Sequence, residues 1–256
     1  MWIGVVSIFP EAFETIRAQG VVARAIERCV LTLEVVTPRD FTTDRHRTVD
    51  DRPYGGGPGM LMKAEPLARA IEALRSSAPV GMRTVYMSPQ GRRLTQERVE
   101  QLASLPGLVF LAGRYEGVDE RLIEAMVDEE ISLGDYVVTG GELPTMIVID
   151  AVARCLPGTL GNAASAVDES HHGGLLDCPH YTRPEQALGR HAPAVVLGGD
   201  HEAIRRWRKK TALARTWQRR PDLLAHRALT DEERALLDEH FREARGPRFA
   251  PEPNEE

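Results

Sequence analysis

The stretch Gly107–Pro144, GLVFLAGRYEGVDERLIEAMVDEEISLGDYVVTGGELP, decides the fold. It opens with an apolar, strand-like run at 107–112 and turns through GRYEG (113–117). Helical periodicity follows over 118–127, then a second strand-like run at 128–132 and a second glycine-bearing turn, LGDYVVTGGELP (133–144). Strand, helix and strand in that order form a crossover unit, and repetition of the unit implies a parallel sheet. Outward from it, apolar runs at 2–9, 31–36 and 83–87 alternate with helix-period segments near 11–28, 64–77, 95–104 and 142–155. The pattern predicts an α/β domain over about 1–160, a parallel sheet with helices on both faces. The caps agree: Pro10 suits a first helical position, Thr95 precedes Glu97 and Arg98, and Pro157-Gly158 stops the last helix.

Residues 161–174, GNAASAVDESHHGG, are small, polar and without apolar period, so they predict a flexible interdomain linker. Beyond it, 175–246 predicts a small all-helical domain. Asp200 can cap a helix with Ile204, Trp207, Thr211 and Ala214 on one face, and a second helix lies near 230–244. The tail 247–256 is Pro-rich and polar and predicts disorder.

With 42% hydrophobic and 27% charged residues among 256, the composition is that of a globular protein with its own core, and no apolar run reaches the ~18 residues of a membrane span. Met1–Val6 has no basic region ahead of its short apolar stretch, so it predicts a first strand, not a signal peptide. Cys29, Cys155 and Cys178 are odd in number and form no CxxC pair, which fits a reducing, cytoplasmic location and gives no cysteine zinc signature. The net charge of −6 argues against nucleic acid as a partner, but its distribution argues for it. From Arg205 to Arg227 nine Lys or Arg accompany one acid, Asp222.

In open parallel sheets ligands bind beyond the carboxyl ends of the strands. No GxGxxG or GxxxxGK[ST] follows the first strand, which excludes a dinucleotide or P-loop signature. Glycines instead follow three later strands, in SPQG (88–91), GRYEG and LGDYVVTGGELP. Three such turns side by side can hold an adenosine moiety through main-chain hydrogen bonds. Taken singly, each is no more than a tight strand-to-helix turn.

The strings DRPYGGGPGM (51–60), SPQG, GRYEGVDER (113–121), SLGDYVVTGGELP (132–144) and GLLDCPHYTRP (174–184), in this order, resemble the TrmD-type tRNA (guanine-N1)-methyltransferases from Trp2 to about Arg242. The resemblance implies a deep trefoil knot, which general connection rules exclude. It also implies S-adenosyl-L-methionine bound in a bent form by the knot loops. The matching positions are Tyr86, Ser88, Pro89 and Gly91 from the first loop, and Gly113, Arg114, Tyr115, Glu116 and Gly117 from the second. The third contributes Ser132, Leu133, Gly134, Asp135, Tyr136, Val137, Val138, Gly140, Gly141 and Pro144. Further implications are a homodimer with active sites at the subunit interface, a substrate-guanine loop with Asp50, Pro58 and Gly59, an essential arginine at Arg154, and dependence on Mg2+ at an unknown site. No compact carboxylate cage is visible, so such an ion would keep most of its waters.

Guanine N1 carries a proton and a delocalised lone pair, so methylation requires a base, and a nearby cation can stabilise charge developing at O6. The family's aspartate falls at Glu169, one methylene longer; Asp168 is its rival. Both can also be read as solvated linker acids, and His171 and His172 as a solvated pair. For RNA, the resemblance and the basic run point to His180, Tyr181, Arg183, Arg205, Arg208, Lys209 and Arg215. Trp207 and Trp217 read more simply as core of the helical domain. The activity implied is methyl transfer to N1 of the guanine 3′ of the anticodon. The alternatives are a knotted ribose 2′-O-methyltransferase and a catalytically inactive tRNA-binding homologue.

Overall fold

The computed structural model describes residues 1–160, 169–225 and 227–244, and the chain divides into two units, Met1–Ala163 and Ala164–Glu256. The expected linker positions 161–168, including Asp168, and the tail 247–256 lie outside the described residues.

In the first unit, β1 (Trp2–Val6), β2 (Thr32–Val36), β5 (Arg83–Arg93), β6 (Gly107–Leu111) and β7 (Glu129–Ser132) form a sheet in the order β2-β1-β6-β5-β7, every pair parallel. Every residue of β6 is buried, which is why its sequence reads as a continuous apolar run. Its side chains alternate between two cores. Leu108 and Phe110 pack with Ile3 and Val5 beneath α2 (Gly20–Glu27), α4 (Gln96–Ala103) and α6 (Glu142–Cys155). Val109 and Leu111 pack with Val6 beneath α3 (Ala64–Ser77) and α5 (Glu120–Met126). Helices thus cover both faces, as the alternation predicts. A separate two-residue antiparallel ladder joins β3 (Asp50–Asp51) to β4 (Leu61–Met62) and closes the glycine-rich loop between them.

Several boundaries differ from the sequence expectation. The first strand ends at Val6 and not at residue 9, because Ser7 Oγ accepts the Phe9 N–H at 3.0 Å and turns the chain. The helix expected over 11–28 is a 3-10 turn at Pro10–Phe13 followed by α1 (Glu14–Ala18) and α2. Gln19 between them is extended and Gly20 has φ +84°, a break that interior helix geometry cannot absorb. SPQG is not a strand-to-helix turn. Met87 and Arg92 both face Ile131 of β7, so Ser88–Gly91 bulges out and the strand resumes to Arg93.

The second unit holds α7 (Ala194–Leu197), α8 (His201–Arg219), α9 (Pro221–Ala225) and α10 (Asp231–Ala244). It is not wholly helical. β8 (Gln186–Ala187) and β9 (Arg190–His191) form a hairpin through Leu188 and Gly189, both at positive φ. Asp200 caps α8 by accepting the Glu202 and Ala203 N–H groups at 3.1 and 3.0 Å. Leu213, Leu224, Leu236 and Leu237 form a small core.

The charge run on α8 finds its acidic partner in α10. Lys209 donates to Glu232 at 2.8 Å, Lys210 to Glu239 and Glu243 at 2.9 and 2.7 Å, and Arg205 to Glu232 at 3.1 Å; Arg206 pairs with Glu239. Exposed pairs contribute little singly, but here they form a ladder along two packed helices. Glu233 is its most buried member and binds Arg227 at 2.7 Å. Burial pushes its pKa up, but the Thr230 N–H and Arg227 outweigh burial and hold it below the ordinary value of 4.5. A depressed carboxyl pKa adds stability that is present above the unfolded-state value and is lost as pH falls through the folded-state value. In a Trp2→Phe background, where fluorescence reports Trp207 and Trp217, Glu233→Gln should therefore flatten the acid-side loss of stability of this unit below about pH 4.5.

Candidate active site

The three glycine-bearing segments, the bulge within β5 and the loops that leave β6 and β7, converge around a cavity of about 510 Å³ in the first unit. That size suits a nucleoside-containing small molecule. Of the positions the resemblance assigns to the cofactor, Tyr86, Ser88, Pro89, Gly113–Gly117, Ser132, Leu133, Tyr136–Val138, Gly140, Gly141 and Pro144 line it. Three do not. Gly91 is pressed against the Glu130–Ile131 backbone, where a side chain has no room; Gly134 supports the Tyr136 ring; and Asp135 turns outward to Arg93. The walls also include Gln90 and Thr139 from within these segments, and Leu61, Ile123 and Glu130, which carry no glycine signal and arrive from elsewhere in the chain.

Main-chain contacts set the loops. Gly141 N–H donates to Gly113 O at 2.7 Å, and a Cβ on Gly141 would lie 2.7 Å from Ala112 Cα, so only glycine fits this crossing. Gly113 leaves room for the Tyr86 ring, which a Cβ would meet at 2.8 Å. Burial, with Glu130 and Glu120 nearby, pushes the Tyr86 phenol up to about 12 and keeps it a hydrogen-bond donor.

The loop between β3 and β4 is tied to this cavity. Glu116 N–H donates to Met60 O at 3.0 Å, Met62 N–H to Gly117 O at 2.9 Å, and Arg114 N–H reaches Met62 Sδ at 3.2 Å. Gly59, at φ +84°, sits so close to Glu116 that a Cβ would collide with its carboxylate. Asp50 opens the loop, and Pro58 and Gly59 are exposed on it, so the positions assigned to the target base adjoin those assigned to the cofactor. Arg154 lies in the last turn of α6 and is not part of the cavity wall.

Glu169, His180, Tyr181 and Arg183 belong to the second unit and are exposed. The segment DCPHY lies along α8. Leu176 N–H donates to Thr216 Oγ1 at 2.9 Å, Arg215 Nη1 to Asp177 O at 3.1 Å, and Tyr181 packs against Trp207 at 6.2 Å. Trp207 is half-buried and Trp217 half-exposed, edge-on to Phe241 at 5.4 Å, so neither is the core residue expected. The Leu side chains fill the small core, which Trp217 meets through Phe241, while Trp207 packs against Tyr181. Arg205 and Lys209 are engaged by Glu232, which leaves Arg208 and Arg215 beside the DCPHY segment.

Among the described residues, Asp177, Cys178 and His180 bring one ligand atom each within 4.8 Å of one another. A thiol and an imidazole do not suit Mg2+, which demands oxygen donors, and His180 Nε2 already bonds Asp177 Oδ2 at 2.7 Å. Burial and the adjacent Asp177 also push the Cys178 thiol up, away from the thiolate a metal needs. Among the described residues, no helix is long and apolar enough to cross a membrane.

The chain is 58% identical over 249 residues to the tRNA (guanine-N(1)-)-methyltransferase of Chromohalobacter salexigens, covering 95% of this chain and 93% of that one. It is 57% identical over 242 residues to that of Pseudoalteromonas atlantica, covering 94% and 91%. Against that of Vibrio vulnificus it is 55% identical over 243 residues, covering 95% and 98%. The sequence model of the tRNA (guanine-1)-methyltransferase TrmD family matches residues 1–226, which include all three cavity loops and the DCPHY segment. With the cavity, the loop stitched to it and these matches taken together, the chain belongs to the TrmD family of tRNA (guanine-1)-methyltransferases.

Proposed function

We propose that this enzyme transfers the methyl group of S-adenosyl-L-methionine to N1 of guanine 37, the base 3′ of the anticodon, in tRNA in the cytoplasm. The observation that carries the reading is the cavity built from the glycine-bearing bulge within β5 and the glycine-bearing loops that leave β6 and β7. The residues present fit the cofactor, because Gly113 makes room for the Tyr86 ring, Gly141 lets the backbone after β7 close on the end of β6, and main-chain groups are left beside the cavity. When bound, S-adenosyl-L-methionine supplies a methyl carbon made electrophilic by its sulfonium. The loops of the first unit orient it and exclude water. Passage of the chain after β7 across the end of β6, tied at Gly141 to Gly113, supports the family's knotted topology.

In this reading Glu169 accepts the N1 proton of guanine, with Asp168 as its rival, and Arg154 stabilises the charge that develops towards O6. Asp50, Pro58 and Gly59 hold the base. No step runs through Mg2+. The relatives are named for guanine-N1 chemistry, which favours this reaction over ribose 2′-O-methylation.

A homodimer is supported by one face of α6. Leu143 and Ile147 are 61% and 53% exposed, in line with Asp150 and Arg154 at helical spacing, and Phe9 and Val137 are exposed as well. A second copy of the chain fits this apolar stripe and would bring Arg154 to the subunit boundary.

Unmodified tRNA with guanines at positions 36 and 37 should gain N1-methylguanosine at 37 by nucleoside mapping. Glu169→Ala should cut turnover about 100-fold or more, whereas Asp168→Ala should leave it within a few-fold; the reverse order would transfer the base role to Asp168. Ile147→Asp should shift the protein to monomer in sedimentation and abolish turnover. Because most of the α8 cations are already paired, tRNA affinity should fall with salt at a slope of about two or three phosphate contacts, not nine. Arg208→Ala with Arg215→Ala should remove most of that slope in filter binding.

A further inference from the structure

Arg114 lines the cavity, and behind it lies a buried carboxylate that the transfer chemistry does not use. Glu142, the first residue of α6, is only 2% exposed, and Ser7, at the end of β1, is fully buried. Ser7 Oγ donates to Glu142 Oε1 at 2.8 Å, and Arg114 Nε donates to Glu142 Oε2 at 2.7 Å. Arg114 Nη1 reaches Thr139 O at 3.4 Å, and the guanidinium lies over the Phe9 ring at 4.8 Å. The single carboxylate therefore joins the segments that leave β1, β6 and β7. Gly140 makes the arrangement possible, since a Cβ there would collide with Arg114 Nε. The first turn of α6 suits a negative charge, because its free N–H groups and helix dipole face it.

We propose that Glu142 is a positioning residue for cofactor binding. It holds Arg114 as an internal clamp that sets the 113–117 loop against the 139–141 loop and so fixes the cavity wall. Arg114 then acts by where it holds the wall, with its Nε and Nη1 donors directed into the protein and not towards the ligand. Glu142 is desolvated while Arg114 keeps partial access to water, so loss of the guanidinium would leave a buried carboxylate without compensation, and loss of the carboxylate would free Arg114 to swing out of the wall. The inference rests on reading this cavity as the S-adenosyl-L-methionine site.

The test is calorimetric binding of S-adenosylhomocysteine to the intact enzyme, wild type against Glu142→Gln, with steady-state kinetics alongside. The variant should bind about tenfold to a hundredfold more weakly and raise KM for S-adenosyl-L-methionine in proportion. Its kcat at saturating cofactor and KM for tRNA should stay within about threefold. Arg114→Lys should do the same, and the double variant should be no worse than the poorer single one. Ser7→Ala, the milder change, serves if Glu142→Gln fails to fold, and should weaken binding about threefold to tenfold. Unchanged affinity in folded variants, additive losses, or an equal rise in KM for tRNA would overturn the clamp. If the wild type itself bound no S-adenosylhomocysteine, the reading of the cavity would fail. Amide exchange at 113–117 and 139–141 would then judge the clamp separately, with faster exchange in Glu142→Gln expected and no change overturning it.

Discussion

Everything around the cavity depends on how closely the chain leaving β7 passes over the end of β6. Backbone meets backbone there: Gly141 N–H bonds Gly113 O at 2.7 Å with no space for a side chain between them. The contact fixes where α6 begins, and so where Glu142 enters the interior and which face of α6 turns outward. A residue with a Cβ at 141 would have to move either the helix or the strand end, and both are held by close-packed apolar cores.

Much of the first unit was legible in the sequence. The runs that became β2, β6 and β7, and the helices Ala64–Ser77 and Glu142–Cys155, matched within a residue or two, because strong apolar periodicity and Pro or Gly boundaries are local signals. Failures came where geometry depends on distant partners. The bulge at Ser88–Gly91 exists because β7 offers Ile131 to both Met87 and Arg92, which nothing in SPQG announces. The break at Gln19 was signalled only by Gly20, and the short hairpin at 186–191 by one Leu-Gly pair.

The site divides in the same way. Glycines marked the three loops, and the family resemblance supplied most of the wall, but Leu61, Ile123 and Glu130 reach the cavity through tertiary packing. The basic run was visible as nine cations to one acid, yet its neutralisation was not, since the acids of α10 lie some 23 to 33 residues further along. Charge counted along the chain overstated what the folded surface of α8 leaves available for phosphate.

Helix α6 has little slack. One side of it, Val148, Ile149 and Val152, is core; its first turn carries Glu142 and Pro144 beside the cavity; its remaining side presents Leu143 and Ile147. A helix on an ordinary protein surface keeps one side on which mutations accumulate without consequence. With a second copy of the chain seated on Leu143 and Ile147, this one would keep almost none, and its sequence would drift more slowly than that of a helix with a free outer face. A small molecule that displaced the first turn of α6 would also be felt along the opposite edge, so if two copies pair through that edge, a compound aimed at the cavity would loosen the pairing.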